Sequence, residues 1–407
     1  MWTLFISTTI NYLNRQTLSV LAPLISKQFH LSHTELSSIF GAFQFTYAAT
    51  WLVGGVFLDI VGTRLGLSLA VIWWSLISIG TSFANSAFSF GALRSLLGMG
   101  EGLNWPGASK AVAEFFPPEE RSIAVAIFDS GSSVGGAIAA LCIPSIAMRF
   151  GWRFAFVFSG ALGFFWLALW LTIYPPRLGG KREEAHHPSL AAGLRNGLAL
   201  LKRRDTWAVI IGRSLTDPIW WFYVFWLPQY LSDTRGFSLT QIAAFSWIPF
   251  VAADLGNFAG GFTSGALAKR GMPVLRARKW VCAVSCVPML AGIPAVFTSS
   301  PFSCLALICF ALFGYASWST MGLTLPSDLF PADVVATLTG LSGFAAGLAS
   351  TGFTLLVGAL VDQLSYAPAF VLAGTVPILA TGAIVFLVPR EPNASVSSSR
   401  PTWQEVT

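Results

Sequence analysis

Polar and apolar residues come in blocks along this chain. Runs of about twenty mostly apolar residues alternate with short connections carrying Arg, Lys, Pro and Gly. A helix needs about 20 residues to cross the roughly 30 Å hydrocarbon core of a bilayer. The blocks predict twelve such helices, at 2–25, 36–58, 66–84, 88–114, 122–147, 152–174, 206–232, 240–267, 278–298, 301–325, 335–361 and 366–388. The longest polar interruption, 175–205, holds PPRLGGKREEAHHPS and LKRRD and parts the helices six and six. The expected organisation is an N-terminal six-helix bundle over 1–174, a cytoplasmic central loop over 175–205, a C-terminal six-helix bundle over 206–388 and a Ser-rich, disordered cytoplasmic tail over 389–407. The expected fold class is all-α integral membrane.

Composition removes the alternatives. Of 407 residues, 54% are hydrophobic and only 10% charged, against about 25% charged in soluble domains. A transmembrane β-barrel would show short alternating segments instead. The five cysteines, Cys142, Cys282, Cys286, Cys304 and Cys309, lie in apolar runs without a CxxC or a nearby His. No metal, cofactor or enzyme chemistry is expected; HExxH and GxSxG are absent. The formal charge of +6 does not point to nucleic acid, because the basic residues sit between spans. With both termini placed in the cytoplasm, 16 Lys and Arg fall on the inner side, 4 on the outer side and 4 within helices. That is a strong positive-inside bias and predicts a multi-pass protein of the cell (inner) membrane, most simply a monomer. The opening WTLFISTTINYLNR has no signal-like core. No basic residue precedes the first helix, so a longer natural N-terminus is expected.

The halves echo one another. GGVFLDIVGTR, from Gly54, returns as GGFTSGALAKRG, from Gly260, at an offset of 206; Phe116-Pro117 returns as Phe330-Pro331 at an offset of 214. Two similar halves are the trace of a transporter built from parallel repeats, with its site between them at mid-membrane.

Charges inside the spans locate candidate chemistry, since each costs about 2.5–3.5 kcal/mol near a helix centre. Arg94 and Glu101 lie seven residues apart on the fourth span, nearly two turns, so they share a face roughly 10 Å apart along the axis. Arg94 is expected to bind a substrate carboxylate and Glu101 to take up and release a proton. The alternative is a structural ion pair. Arg15 shares a face with Asn11, beside Asn14, and either faces the substrate or partners Glu101. Asp129, among Ser130, Gly131, Ser132 and Ser133, is a second proton-coupling candidate, or part of a small-residue packing stripe. Further expected substrate contacts are Tyr47, Asp217, Trp221, Asn257, Trp318, Ser319 and Ser342. Arg213 and Asp217, at i and i+4, are also placed to neutralise each other. The four histidines, His30, His33, His186 and His187, all fall in connections, so no in-membrane histidine relay is expected.

Gly55, Asp59, Gly62 and Arg64 form a G-x-x-x-D-x-x-G-x-R pattern in the tight loop after the second span. Here the chain resembles the major facilitator superfamily, in which this loop is a conformational latch. Its second copy is degraded, with Gly265 where an acid is common. NYLNRQTLSVLAP, RSLLGMGEGLNWPGASKAVAEFFPPEER, TDPIWWFYVFWLPQYL and TLPSDLFP resemble the anion:cation symporter branch, nearest its hexuronate transporters, over nearly the whole chain. The resemblance implies uptake of a sugar acid with a co-transported proton by alternating access. Relatives in that branch often carry Asp immediately before this arginine; Asn14 cannot titrate, which leaves Glu101 as the leading coupling group and keeps a uniporter or exchanger of another organic anion open.

Overall fold

The computed structural model describes residues 1–115, 118–174, 200–330 and 332–388. The expected central loop up to 199, the tail, and Pro117 and Pro331 of the repeat lie outside them. The described helices are α1 (Trp2–Phe29), α2 (His33–Val61), α3 (Thr63–Thr81), α4 (Ala87–Glu101), α5 (Asn104–Phe115), α6 (Pro118–Phe150), α7 (Trp152–Ile173), α8 (Arg204–Arg235), α9 (Leu239–Phe245), α10 (Ile248–Lys269), α11 (Val274–Met289), α12 (Gly292–Phe297), α13 (Pro301–Leu329), α14 (Ala332–Gln363) and α15 (Ala367–Leu387). All twelve predicted spans are present. Three of them are each split in two, as α4–α5, α9–α10 and α11–α12.

Each split has a local cause. The fourth span breaks at Gly102-Leu103, inside the run Gly98-Met99-Gly100-Glu101-Gly102 and four residues before Pro106. Glycine weakens a helix interior, and Pro106 offers no N–H to the carbonyl of Gly102. Gly102 also lets the chain run close against Thr50 and the Tyr47 carbonyl of α2. Pro249 opens α10, and Pro288 lies in the last turn of α11. Eight spans are long and apolar enough to cross a membrane on composition alone. Among the described residues the first, second, fourth and seventh are not in this set; the first, fourth and seventh carry Arg15, Arg94, Glu101, Arg213 and Asp217.

Packing obeys a two-fold pattern. In the first bundle α1 packs on α6, α2 on α4, and α3 on α7; in the second, α8 packs on α14, α10 on α13, and α11 on α15. The bundles meet along α2–α14, α1–α8 and α6 with α9–α10. Small residues permit the close crossings: a side chain at Gly347 would meet Ala48 across the α2–α14 seam, and one at Gly256 would meet the Phe313 backbone. Near the end of α1 the seam is sealed by aromatics. Phe40 stacks on Phe225 with centroids 4.6 Å apart, and Trp226 closes on Phe40 at 6.0 Å. Just below, Ser19 Oγ donates to the Val224 carbonyl at 2.6 Å. That carbonyl is free because the residue four places on is Pro228, which has no N–H to give it.

Candidate functional site

Arg15 and Glu101 each lie about 20 Å of helix from the ends of α1 and α4 that face opposite sides of the protein, at 1.5 Å per residue. Both are therefore at mid-depth. Arg15 Nε donates to Glu101 Oε2 at 3.1 Å, and Arg15 Nη2 to Asn11 Oδ1 at 3.0 Å. The guanidinium is boxed by aromatic rings, with Tyr12 at 4.4 Å, Tyr47 at 4.5 Å, and Phe43 and Trp221 both at 5.2 Å. Stacking suits the weakly hydrated, delocalised cation. Trp221 comes from the second bundle and meets Tyr47 edge-on at 5.9 Å, so the box straddles the seam.

Arg94 differs. It is 2% exposed, and its one described bond is from Nη1 to the Arg15 carbonyl at 3.3 Å. Its Nε and Nη2 have no partner, nor does Glu101 Oε1. Among the described residues no carboxylate lies within ion-pair distance of Arg94. Glu101 is committed to Arg15, which leaves one buried positive charge in excess. Of the two readings of Arg15, the structure takes the one in which it partners Glu101, as an ion pair between α1 and α4, and Arg94 is left over.

The other predicted residues fall into three groups. Arg213 Nη2 donates to Asp217 Oδ2 at 3.0 Å and Nη1 to Ser342 Oγ at 3.1 Å. This second polar cluster connects to the first through Trp51, which stands between Tyr47 and Gly343, beside Arg213. Asn257 accepts from Thr320 Oγ1 at 3.1 Å, and Ser319 neighbours Tyr315, which stacks on Trp220. Asp254 of α10 accepts from Ser133 Oγ of α6 at 2.6 Å across the seam, and Asp129, one turn earlier on α6, feels its charge.

Two predicted contacts point elsewhere. Asn14 Nδ2 donates to the Ile10 carbonyl, and its Oδ1 accepts from Ser78 Oγ at 2.8 Å; Ser78 also meets Ser159 of α7. Asn14 therefore ties α1 to α3 and α7 and turns away from Arg15. Trp318 is buried, with Nε1 donating to Thr381 Oγ1 of α15 at 2.8 Å, and it packs inside the second bundle. Of the loop motif, Gly62 has φ 85° at the α2–α3 turn, which favours glycine, and Arg64 Nη2 reaches the Leu171 carbonyl of α7 at 2.9 Å. The side chains at Gly55 and Asp59 lie outside the described ones.

Sequence reasoning missed Gln44 and Asn104. Gln44 is 2% exposed, and neither end of its amide has a partner. It lies on the face of α2 that carries Phe40 and Tyr47, where α2 meets α8 and α14. A lone amide in the apolar block FGAFQFTYAAT was the available signal. Asn104, just past the helix break, accepts from Ser7 Oγ at 2.7 Å and donates to Thr8 Oγ1, fixing α5 to α1. Among the described residues no group of His, Cys, Asp and Glu has the makings of a metal site.

Two six-helix bundles related by a two-fold, with charges buried at the mid-depth seam, define a multi-pass membrane transporter. The chain belongs to the Major Facilitator Superfamily, whose family model matches residues 4–354. It is 32% identical over 406 residues to the hexuronate transporter of Escherichia coli (strain K12), covering 96% of this chain and 94% of that one. It is 34% identical over 269 residues to the galacturonate transporter of Dickeya chrysanthemi, covering 63% of this chain and 78% of that one. Its fold matches the crystal structure of a bacterial homologue of the human lysosomal transporter Spinster, inward-facing and occupied, with a TM-score of 0.74 at 19% identity over 95% and 93% of the two chains.

Proposed function

We propose that this chain imports an organic anion, of the hexuronate or a related sugar-acid class, together with one proton. The observation that carries the reading is Arg94, a buried cation with two N–H groups unpartnered beside an Arg15–Glu101 pair. Buried donors without acceptors are rare and costly, and a carboxylate entering this site satisfies them bidentately. The names of the relatives above support the sugar-acid class. The aromatic box around Arg15 suits the apolar face of a sugar ring.

Glu101 is the proposed proton carrier. Its Oε1 is free, and a substrate carboxylate competes for the same arginines. Protonation of Oε1 releases Arg15 to the substrate; departure of the substrate returns Arg15 to the carboxylate. The empty site holds Arg15 and Arg94 against Glu101, a charge of +1. Loaded with one carboxylate and one proton it holds the same +1. One proton per monoanion is therefore electroneutral, and uptake should follow a pH gradient and ignore membrane potential. Asp129, which feels the charge of Asp254 across the seam, is the second proton candidate. The termini and the positive loops are assigned to the cytoplasm of the inner membrane, so the Phe40–Phe225 seal closes the outer side. The protein is assigned as a monomer in the bilayer.

Reconstituted protein tests this. Glucuronate or galacturonate uptake into proteoliposomes should accelerate with an inward pH gradient and acidify the lumen. Uptake indifferent to the gradient would leave a uniporter or exchanger, the alternative that Asn14 favours, since it cannot titrate and is turned from the site. Failure of every hydroxy acid in a counterflow panel would overturn the substrate class.

A further inference from the structure

The transport site leaves unused a second charged cluster, at the face where α1 ends and α2 begins. His33 opens α2 in the first bundle. Its Nδ1 lies 2.8 Å from Asp362 Oδ1 of α14, and its Nε2 lies 2.9 Å from Asp233 Oδ2 of α8, both in the second bundle. A neutral imidazole carries one N–H, and a carboxylate only accepts. Both contacts are hydrogen bonds only when the ring is imidazolium.

The surroundings fix both the ring and the acids. Asp362 also accepts from the backbone N–H groups of His33 and Thr34 at 2.9 and 2.7 Å and from Thr34 Oγ1 at 2.6 Å, so it caps α2 from the opposite bundle. Asp233 accepts from the Tyr366 hydroxyl at 2.8 Å and from Gln229. The ring stacks on Trp226 and meets Tyr366 edge-on. The other charged or titratable groups nearby are occupied: Glu35 on its own helix holds Ser32, and Arg235 and Tyr230 of α8 hold each other. Among the described residues, no cation but His33 lies within ion-pair distance of Asp233 or Asp362. A hollow of about 400 Å³, lined in part by Thr234, Val361 and Tyr366, adjoins the cluster.

We propose that His33 is a proton-sensing clasp: charged, it ties α2 to α8 and α14 and holds the outer entrance shut; neutral, it lets one carboxylate go and the entrance opens. The bond to Asp233, and then that to Asp362, raises the His33 pKa above the ordinary imidazole value against the opposing effect of burial. In the open state the ring meets water and titrates near its usual ~6.5. The closing contribution is therefore complete below about pH 6.5 and is lost as pH rises through the raised value. Between the two, the closed-to-open ratio falls about tenfold per pH unit. Only the direction in which this face points rests on the transport reading; the clasp itself is indifferent to the anion carried.

Distances between spin labels at Lys27→Cys and Leu364→Cys test it, in full-length, substrate-free protein in nanodiscs with Cys142 and Cys309 replaced by serine. Glu101→Gln as background removes titration at the central site. The open fraction should climb with pH in this background. Adding His33→Gln should make it high and flat, and His33→Arg low and flat. A pH response that survives His33→Gln, a flat response with His33 intact, or an Arg variant as open as the Gln variant overturns the proposal. So does unchanged pH dependence of transport in the His33→Gln protein.

Discussion

Replacing Arg94 by leucine separates a cation kept for a ligand from one kept for the fold. Arg94 has two unpartnered N–H groups and only a long bond to the Arg15 carbonyl. Two charge-assisted hydrogen bonds to a substrate carboxylate, at about 1.5–3 kcal/mol each, correspond to roughly 10²–10⁴-fold in affinity. Empty protein should lose little, because leucine removes a buried, unneutralised charge. Arg15→Leu should behave in the opposite sense. It strands Glu101 without its partner, and breaking a buried pair costs about 3–5 kcal/mol. Intrinsic tryptophan fluorescence melts of both variants in nanodiscs, with and without hexuronate, read the two effects side by side. Arg94→Leu should melt no lower than wild type when empty and lose the ligand-induced rise; Arg15→Leu should melt lower when empty. If Arg94→Leu destabilises the empty protein as much as Arg15→Leu and still binds substrate, the assignment of Arg94 as the anion receptor fails.

Four other outcomes follow from the packing. Glu101→Gln should abolish accumulation while sparing counterflow exchange; surviving accumulation would move the coupling proton elsewhere, first to Asp129. Gln44→Leu removes a buried amide without partners, so it should not lower the empty protein's melting temperature, and in competition assays it should weaken polyhydroxy acids more than carboxylates lacking hydroxyls. Equal weakening of both would place Gln44 outside the recognition surface. Gly256→Val drives a side chain into the Phe313 backbone within one bundle and should cost about 1–3 kcal/mol or more, seen as lost folded yield. Gly358→Val meets Ser37 and the His33 carbonyl across the seam. It should fold normally yet raise the outward-open fraction; unchanged label distances would argue against that seam as the moving one.

The twelve spans were legible because burial in lipid forces an apolar block of fixed length, and a block needs no partner to be recognised. The importance of Arg15, Arg94 and Glu101 was legible for the same reason, as charges where charges are costly. What joins to what was legible only in part: Arg213–Asp217 from its spacing, and Arg15–Glu101 as one of two alternatives. Periodicity put Arg94 and Glu101 on one face, but the rotation of α1 against α4 decides that Glu101 bonds Arg15. Asn14 stands next to Arg15 in sequence and is about 100° round the helix from it, which suffices to turn it into the packing with Ser78. Trp318 read as a substrate contact, yet its N–H goes to Thr381, 63 residues away. The break at Gly102 could be suspected from three glycines and Pro106, although an apolar count runs straight through it. His33 read as a loop residue, and its two carboxylate partners lie 200 and 329 positions along the chain.

Pro228 has an effect at a residue that it is not seen to touch. By withholding one N–H it turns the Val224 carbonyl into a socket, and Ser19 of the other bundle plugs into it. The acceptor is backbone, so any side chain at 224 leaves the socket intact. The instruction for the contact is written at 19 and 228. Pro228→Ala would supply the missing N–H and let α8 reclaim its own oxygen. Ser19→Ala would leave the oxygen waiting for water. The same loosened seam would then be reached by two opposite chemical edits, one adding a donor and one deleting it.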